Sequence, residues 1–271
     1  MWNTSSRHAR SYEYYFSSGY YDQRYPRPNP NVLSEVQRRL PEKGGRIIDF
    51  GCGSGRYTLP LAYADNKLVC FDICASARAR LQENVDQTTV GDNVRILAGD
   101  DAALQAEIDE HGPADMLIAL FGVMAHIPDR DVRIGLLRWF GRMVDPEAGR
   151  ILVSVPNKRR RFRSKQRDSE SHSDEVVYTR SHNAQELEFF YKLYDVEGFR
   201  VELEEAGLVV EDLRPESLFP ESWLANSSIV RGVERLVGRW IPASLGYGLL
   251  AVCHPPRQAA CLAAAQMKKT A

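Results

Sequence analysis

Short apolar runs along the chain alternate with longer segments in which apolar residues recur at the spacing of a helix. Five of these runs are predicted to be buried strands, at residues 46–50, 67–72, 94–98, 115–120 and 151–155. Helical spacing is found between them, at about 56–64, 75–86 and 129–144. Buried strands separated by helices indicate a parallel sheet that is covered on both faces.

The pattern changes after the fifth strand. Residues 156–182 are polar and lack a hydrophobic period, so we expect an inserted loop there. The alternation then resumes with a helix, a strand, a helical region and a last strand, at about 195–206, 208–210, 221–240 and 247–253. The chain therefore predicts an α/β fold: a doubly wound, mostly parallel seven-stranded sheet with helices on both faces.

The two ends of the chain differ from this central pattern. Residues 11–30 are rich in tyrosine and then in proline, which predicts a partly ordered flap that leads into a helix at about 31–40. We therefore divide the chain into an N-terminal flap and helix (1–40), one domain (41–255) and a loose C-terminal tail (256–271).

The composition is that of a globular protein, with 44% apolar and 26% charged residues. The net charge of -1 gives no general attraction for nucleic acid. The five cysteines contain no C-x-x-C pair, which disfavours a zinc site, and their odd number fits a reducing compartment. No apolar leader follows Met1 and no apolar run is long enough to span a bilayer, so we expect a cytoplasmic protein. Because a C-x-x-C pair is missing, we expect no bound metal.

The candidate chemistry lies where the first predicted strand ends. Asp49 is followed by glycines at alternate positions, Gly51, Gly53 and Gly55, before a predicted helix. Glycine permits positive φ and lets a ligand approach bare backbone, and parallel sheets bind ligands at the carboxyl ends of their strands. A dinucleotide-binding loop needs a third glycine where this chain has Arg56, so a nicotinamide oxidoreductase is disfavoured.

The spacing G-x-G-x-G, with Asp49 two residues before it, resembles motif I of the class I S-adenosylmethionine-dependent methyltransferases. The resemblance implies that Asp72, at the end of the second strand, accepts hydrogen bonds from the ribose of this cofactor. It also implies that Ile73 packs on the adenine, and that Asp100, aided by Asp101, meets the adenine amino group. Core packing of Ile73, and capping of the next helix by Asp100 and Asp101, are the alternatives.

The segment from Phe121 to Asp129 follows the fourth strand and resembles the part of this family that lies beside the transferred methyl group. Phe121 is therefore expected at the cofactor. His126 is the candidate base, because an oxygen or nitrogen acceptor that must lose a proton needs one. The alternative is a histidine without a catalytic role.

The N-terminal flap supplies further candidates. Three tyrosines are candidates for a lid over the cofactor, and one arginine for a contact with the cofactor carboxylate: Tyr14, Tyr15, Tyr20 and Arg24.

The acceptor is indicated mainly by what is missing. Neither an Asn/Asp-Pro-Pro-Tyr/Phe sequence nor a Pro-Cys pair follows the fourth strand. This disfavours amino methylation of adenine or glutamine, and carbon methylation of cytosine. We expect methyl transfer to an oxygen or nitrogen of a small-molecule acceptor, such as a natural-product or lipid-linked metabolite.

Seven basic residues lie between Lys158 and Arg167. They suit phosphates of RNA or of a small molecule, or they belong to a solvated loop that nearby acids balance. A tRNA methyltransferase of the wobble-uridine type is the alternative enzyme, and residues 189–194 faintly resemble that class. A non-catalytic scaffold is a further alternative, which the intact Asp72 disfavours.

An apolar stripe is predicted in the last helical region, formed by Ile229, Val233, Leu236, Val237 and Trp240. Such a stripe more often packs on its own domain. With the arginines on another face of the helix, it also suits peripheral contact with a membrane surface.

Overall fold

The computed structural model describes residues 6–168, 174–238 and 240–257. Its strands are β1 (Arg46–Phe50), β2 (Lys67–Phe71), β3 (Val94–Ile96), β4 (Met116–Ala119), β5 (Arg150–Pro156), β6 (Glu175–His182), β7 (Gln185–Lys192), β8 (Val209–Ser217) and β9 (Gly248–His254). Its α-helices are α1 (Ser6–Ser17), α2 (Tyr20–Arg24), α3 (Pro30–Gln37), α4 (Thr58–Ala62), α5 (Ala75–Asp86), α6 (Asp101–His111), α7 (Arg130–Met143), α8 (Arg163–Asp168), α9 (Val196–Glu205), α10 (Glu221–Asn226) and α11 (Ser228–Val237). A 3₁₀ turn, Val123–His126, follows β4.

Seven strands form one sheet in the order β3-β2-β1-β4-β5-β9-β8. Strands β1 to β5 are parallel, and β9 runs antiparallel to both of its neighbours. The predicted doubly wound, mostly parallel seven-stranded α/β fold is confirmed. The strand order reverses between β1 and β4, so the carboxyl ends of these two strands flank the crevice in which such sheets bind ligands.

Strand β1 shows why the short apolar runs form the centre of the sheet. Ile47 pairs in register with Leu68 of β2 and Met116 of β4, and all three are buried. Ile47 packs into the apolar cluster on one face, whereas Ile48 packs into the cluster on the other. Each buried side chain of this size contributes about 1.5–3 kcal/mol, so a run of branched apolar residues is stabilised as a strand covered on both sides.

The prediction of an inserted loop over 156–182 was wrong for much of that range. The range contains α8 and β6, and β6 pairs with β7 in an antiparallel hairpin. Asn183 and Ala184 form the hairpin turn with φ of 48° and 61°. Val176 and Tyr178 are buried whereas Val177 is half-exposed, which is the alternation of a strand; the charged residues around it obscured this period.

The N-terminal segment is helical, so the prediction of a partly ordered flap was wrong. Helix α1 packs between α5 and the hairpin. The carboxylate of Glu13 accepts hydrogen bonds of 2.9 Å from the N–H groups of Ala75 and Ser76, and Ser11 Oγ accepts one of 3.0 Å from Glu188 N–H. The helix predicted at about 31–40 is confirmed as α3, which Asn29 caps.

The helical region predicted at 221–240 is two short helices, α10 and α11, with Ser227 as the N-cap of the second. The expectation that the apolar stripe packs on its own domain was wrong, because its side chains are exposed. No helix within the described ranges is long and apolar enough to cross a bilayer. Most of the predicted tail, residues 258–271, lies outside the described residues.

Candidate functional site

A cavity of about 300 Å³ opens at the carboxyl ends of β1, β2 and β4. Six of the sequence-predicted site residues line it: Gly51, Gly53, Asp72, Ile73, Phe121 and His126. The N-terminal helices α1 and α2 cover it with Ala9, Tyr12, Glu13, Phe16 and Tyr21. The cavity thus occupies the crevice at which the strand order reverses.

Gly51 turns the chain directly after β1. Its φ is 77°, a conformation that favours glycine. A Cβ built at this position would lie 2.5 Å from Cγ2 of Val123, so the bare backbone is required. Gly55 does not line the cavity; a Cβ there would lie 2.5 Å from Cδ1 of Leu81, so this glycine lets α5 pack closely against the loop.

Asp72 follows β2 and lines the cavity. Its Oδ2 accepts a hydrogen bond of 2.9 Å from the N–H of Gly53, and its Oδ1 accepts one of 2.9 Å from the N–H of Cys74. Burial raises the pKa of Asp72 despite these two bonds. Because each carboxylate oxygen has a further lone pair, the side chain is able to hold the loop and bind a ligand at the same time.

Asp49 lies beneath the loop and does not line the cavity. Its buried carboxylate accepts a hydrogen bond of 2.6 Å from the hydroxyl of Thr58, the first residue of α4. Burial raises the pKa of Asp49 to about 7. The side chain therefore ties the end of β1 to the following helix.

Phe121 and Ile73 form apolar walls of the cavity. The φ of Phe121 is 63°, a strained conformation of the kind found at ligand sites. Its N–H donates to Ser154 Oγ at 2.7 Å, and the guanidinium of Arg56 lies 4.4 Å from its ring centre. Ile73 is 46% exposed, so core packing does not explain its position.

The structure places Asp100 and Asp101 outside the cavity lining. Asp100 is the N-cap of α6, and its Oδ1 accepts a hydrogen bond of 2.9 Å from the N–H of Ala103. Asp101 is the first residue of that helix. The adenine contact that the family resemblance implies for this pair stays a prediction.

His126 lies in the cavity wall between α1 and β7. The hydroxyl of Tyr12 lies 2.7 Å from its Nε2 and 2.8 Å from its Nδ1, and Nδ1 also lies 3.0 Å from the carbonyl oxygen of Phe190. Because a carbonyl oxygen only accepts, we assign the ring proton to Nδ1, and Nε2 then accepts from Tyr12. Burial lowers the pKa of His126 to about 4, so the ring is neutral in neutral solution.

Helix α1 supplies cavity residues that the sequence analysis missed. Ala9, Tyr12, Glu13 and Phe16 recur at the spacing of one helix face. If the segment is interpreted as a helix rather than a flap, that spacing predicts that these four residues share one face.

The predicted lid residues lie outside the cavity lining: Tyr14, Tyr15, Tyr20 and Arg24. The hydroxyl of Tyr14 lies 3.3 Å from Nδ1 of His182, and the ring of Tyr20 stacks on the same imidazole at 4.1 Å. Arg24 donates through Nε to the hydroxyl of Tyr25 at 3.2 Å. These side chains join the N-terminal helices to the hairpin and to each other, and other residues of the same helices face the cavity.

A cluster of charged and aromatic side chains adjoins His126. We call it the Arg–Tyr cluster, and it comprises Tyr25, Arg161, Tyr178, Arg180 and Tyr191. The ring of Tyr191 lies 4.5 Å from that of His126 and 5.5 Å from that of Tyr178. The guanidinium of Arg161 lies 5.7 Å from the Tyr191 ring centre, and that of Arg180 lies 5.1 Å from the Tyr178 ring centre.

Within the Arg–Tyr cluster, burial raises the pKa of Tyr178 and of Tyr191, whereas positive charge decides that of Tyr25. Burial opposes ionisation of Tyr25, but the guanidinium groups of Arg180, Arg24 and Arg161 outweigh burial and lower the pKa of this phenol. Within the described part of the chain, Nε of Arg161 is buried and has no hydrogen-bond partner. The cluster therefore offers an unsatisfied donor next to the cavity.

Several residues of the basic run at 158–167 are bound within the chain. Lys158 forms an ion pair with Asp174, and Arg160 donates to the carbonyl oxygen of Leu245 at 2.8 Å. Arg161 belongs to the Arg–Tyr cluster. These contacts weaken the interpretation of the run as a clamp for RNA phosphates. Among the described residues, no group of three or more His, Cys, Asp or Glu side chains is placed to hold a metal ion.

The sequence matches the family model described as "Methyltransferase domain" over residues 21–213, more than half of the chain. A curated relative, the ubiquinone biosynthesis O-methyltransferase of Xylella fastidiosa (strain 9a5c), is 27% identical over 148 residues. That match covers 53% of this chain and 56% of the relative, so the chain spans about half the length of the relative.

The fold is similar to that of solved methyltransferases. The CcbJ methyltransferase from Streptomyces caelestis has a TM-score of 0.66 and 13% identity, covering 91% of this chain and 98% of its own. The glycopeptide N-methyltransferase MtfA, complexed with S-adenosyl-L-methionine, has a TM-score of 0.58 and 15% identity, covering 85% of this chain and 95% of its own.

The resemblance inferred from the glycine loop is thereby confirmed. The family match covers the loop, the acid after β2 and the segment after β4, which supply the cavity residues at the strand ends, whereas α1 lies outside the match. The chain therefore belongs to the methyltransferase-domain family, in agreement with its resemblance to the class I S-adenosylmethionine-dependent methyltransferases.

Proposed function

We propose that the enzyme transfers the methyl group to an oxygen or nitrogen atom of a small-molecule acceptor. The observation that carries the proposal is the cavity at the ends of β1, β2 and β4, which α1 covers and which adjoins the Arg–Tyr cluster through His126. The names of an O-methyltransferase of ubiquinone biosynthesis and of a glycopeptide N-methyltransferase agree with acceptors of this kind.

The residues of the cavity fit the cofactor. S-adenosylmethionine supplies an electrophilic methyl group on a sulfonium. Gly51 and Gly53 expose backbone that a ligand approaches closely, Asp72 keeps lone pairs for hydroxyl donors, and Ile73 offers apolar surface for a base. We assign cofactor binding to these four residues, and support of the loop to the buried Asp49.

His126 is better suited to positioning than to proton removal. A base is most effective when its pKa is near the working pH, and burial lowers that of His126 to about 4. With the ring proton assigned to Nδ1 and directed to the carbonyl of Phe190, Nε2 accepts from the Tyr12 hydroxyl, which lies within 2.8 Å of both ring nitrogens. We therefore assign His126 the orientation of Tyr12 at the cavity wall.

We assign the Arg–Tyr cluster to the acceptor. A buried donor without a partner, such as Nε of Arg161, costs about 1–3 kcal/mol. An acceptor with a carboxylate or phosphate group offsets this cost on binding, and a planar guanidinium suits such groups. We therefore propose that the acceptor is an anionic small molecule, and that its methylated atom is directed at the cavity.

The test is to incubate the enzyme with methyl-labelled cofactor and a cell extract divided into RNA, lipid and small-molecule pools. We expect label in small molecules, or in extracted lipids, that an anion-exchange resin retains. Label confined to the RNA pool would overturn the proposal in favour of the tRNA enzyme.

A pair of variants then tests the role of the cluster. Arg161→Met should lower the labelling rate at low acceptor by about tenfold or more, because a hydrogen bond to a charged group is lost. Its affinity for S-adenosylhomocysteine should stay unchanged. Arg163→Met, in an exposed part of the same basic run, is the matched control and should label at the wild-type rate. Equal rates in both variants would contradict the assignment.

A further inference from the structure

Helix α11 directs its apolar side chains to solvent. Ile229 is 78% exposed, Leu236 is 75% exposed, and Trp240, just beyond the helix, is 87% exposed. Together with the partly exposed Val233, these residues recur at the spacing of one helix face. We call these four residues the exposed stripe.

The opposite face of α11 is polar and anchors the helix to the domain. Glu234 is buried, and its carboxylate accepts hydrogen bonds of 3.1 Å from Asn31 Nδ2 and of 3.0 Å from the N–H of Leu218. Asn31 Nδ2 also donates to the backbone carbonyl of Glu234 at 3.2 Å. These polar contacts therefore set the orientation of the helix. An ordinary surface helix packs its apolar face on the domain, whereas α11 turns that face to solvent.

Positive charge accompanies the stripe. Between residues 222 and 240 the sole acid in the sequence is Glu234, which is buried. On α11, Arg235 is exposed, and Arg231 donates to the carbonyl oxygen of Leu224 at 2.7 Å. A groove of about 220 Å³ adjoins the helix and combines apolar with basic lining: Arg27, Pro28, Pro30, Leu33, Leu224 and Arg231. Glu221, which also lines the groove, is paired with Arg56.

We propose that α11 and the exposed stripe dock the enzyme on a bilayer that contains anionic phospholipid. Bulky apolar residues, including tryptophan, on one face of a helix that also carries arginines form the pattern that inserts at a membrane interface. Two copies of the chain would also bury the stripe, but a symmetric contact brings the same arginines together. The negative surface of such a bilayer instead attracts them.

Cosedimentation of the 271-residue chain with vesicles tests the proposal. We expect binding to vesicles of phosphatidylcholine and phosphatidylglycerol that weakens as salt rises, and weaker binding to phosphatidylcholine alone. Leu236→Glu should lower partitioning by about tenfold or more, because an apolar side chain that the bilayer would bury is replaced by a charged one. Arg235→Glu should lower it by about tenfold, because a positive charge near the surface is reversed.

A matched control is Val209→Glu, the same change at a 43% exposed valine on β8, and it should bind vesicles as the wild type does. Unchanged affinity of Leu236→Glu for S-adenosylhomocysteine would show that the fold is intact. The proposal is overturned if the wild type does not bind the anionic vesicles, or if Leu236→Glu binds them equally well.

Other occupants of the stripe give different results. A dimer in light scattering that Leu236→Glu dissociates, without vesicle binding, would assign the stripe to a second copy of the chain and overturn the proposal. Vesicle binding that occurs only after removal of residues 258–271 would assign it to that segment, and would overturn the proposal equally.

Discussion

The backbone N–H of Gly53 donates a hydrogen bond of 2.9 Å to Oδ2 of Asp72. The bond joins the glycine loop after β1 to the acid after β2, the strand beside it in the sheet. It sets bare backbone and a carboxylate side by side at the crevice where the strand order reverses. Cofactor binding is therefore a joint property of the loop and of the neighbouring strand.

Gly51→Ala should be more harmful than a change to alanine at Gly207. Both glycines have positive φ, 77° and 82°. At Gly207 a Cβ meets nothing within 4 Å, so that variant measures the backbone strain alone, roughly 1–2 kcal/mol. At Gly51 the contact with Val123 is added, so thermal unfolding should show a larger loss and calorimetry a loss of S-adenosylhomocysteine binding. Equal effects in the two variants would contradict the required bare backbone.

Asp100→Asn separates the cap of α6 from the adenine contact. Asparagine caps a helix about as well as aspartate, so thermal stability should not change. Since Asp100 does not line the cavity, calorimetry should give S-adenosylhomocysteine affinity within about twofold of the wild type, whereas Asp100→Ala should lose roughly 1 kcal/mol of stability. A marked loss of affinity in Asp100→Asn at full stability would instead support the contact with adenine.

His126 should stay neutral across the working range of the enzyme. Burial lowers its pKa to about 4, so the pH profile of methyl transfer should have no inflection near the ordinary histidine pKa of about 6.5 that depends on this ring. The measurement compares profiles of the wild type and His126→Asn: the rate should fall while the shape is kept. An inflection in the wild type that the variant lacks would show that His126 is the base.

Asp49→Asn should change the pH dependence of stability. Burial raises the pKa of Asp49 to about 7, so the folded protein binds the proton more tightly than the unfolded chain does. The stabilisation is fully present below the unfolded pKa of about 3.9 and is lost as pH rises through the folded pKa. In urea unfolding, the variant and the wild type should have the same free energy of unfolding near pH 4. Near pH 8 the free energy of unfolding of the variant should be higher than that of the wild type by on the order of 1–4 kcal/mol.

The difference between the two proteins is the quantity to measure, because Glu216 contributes with the same sign. Burial raises the pKa of that carboxyl to about 7 as well. Parallel stability curves for wild type and Asp49→Asn would show that Asp49 titrates as an ordinary carboxyl.

The sequence predicts the central strands and the cofactor loop because each rests on local information. An apolar run such as Ile47-Ile48 predicts a buried strand from a few neighbouring residues. The alternate glycines and the acid before them are likewise recognised without knowledge of any distant residue. Asp72 is predictable because its strand ends beside that loop in the predicted sheet.

Charged residues obscure the period of the hairpin, and α1 is hard to predict because tyrosine is both apolar and polar. In α1, Tyr12 and Phe16 form the cavity face, whereas Tyr14 and Tyr15 were predicted to form it. Without the phase of the helix, adjacent tyrosines are indistinguishable, although they point in different directions. The stripe on α11 has a similar difficulty, since its period predicts a helix but does not indicate which face meets the domain.

The most direct test of the account is calorimetric titration of S-adenosylhomocysteine into the wild type and Asp72→Ala, with Asp109→Ala on α6 as the control. We predict that the wild type and the control bind equally. Asp72→Ala should keep its circular dichroism spectrum but bind about 100-fold more weakly, because each hydrogen bond to a charged group contributes about 1.5–3 kcal/mol. A wild type that does not bind, or an Asp72→Ala variant with undiminished affinity, would contradict the placement of the cofactor at this crevice.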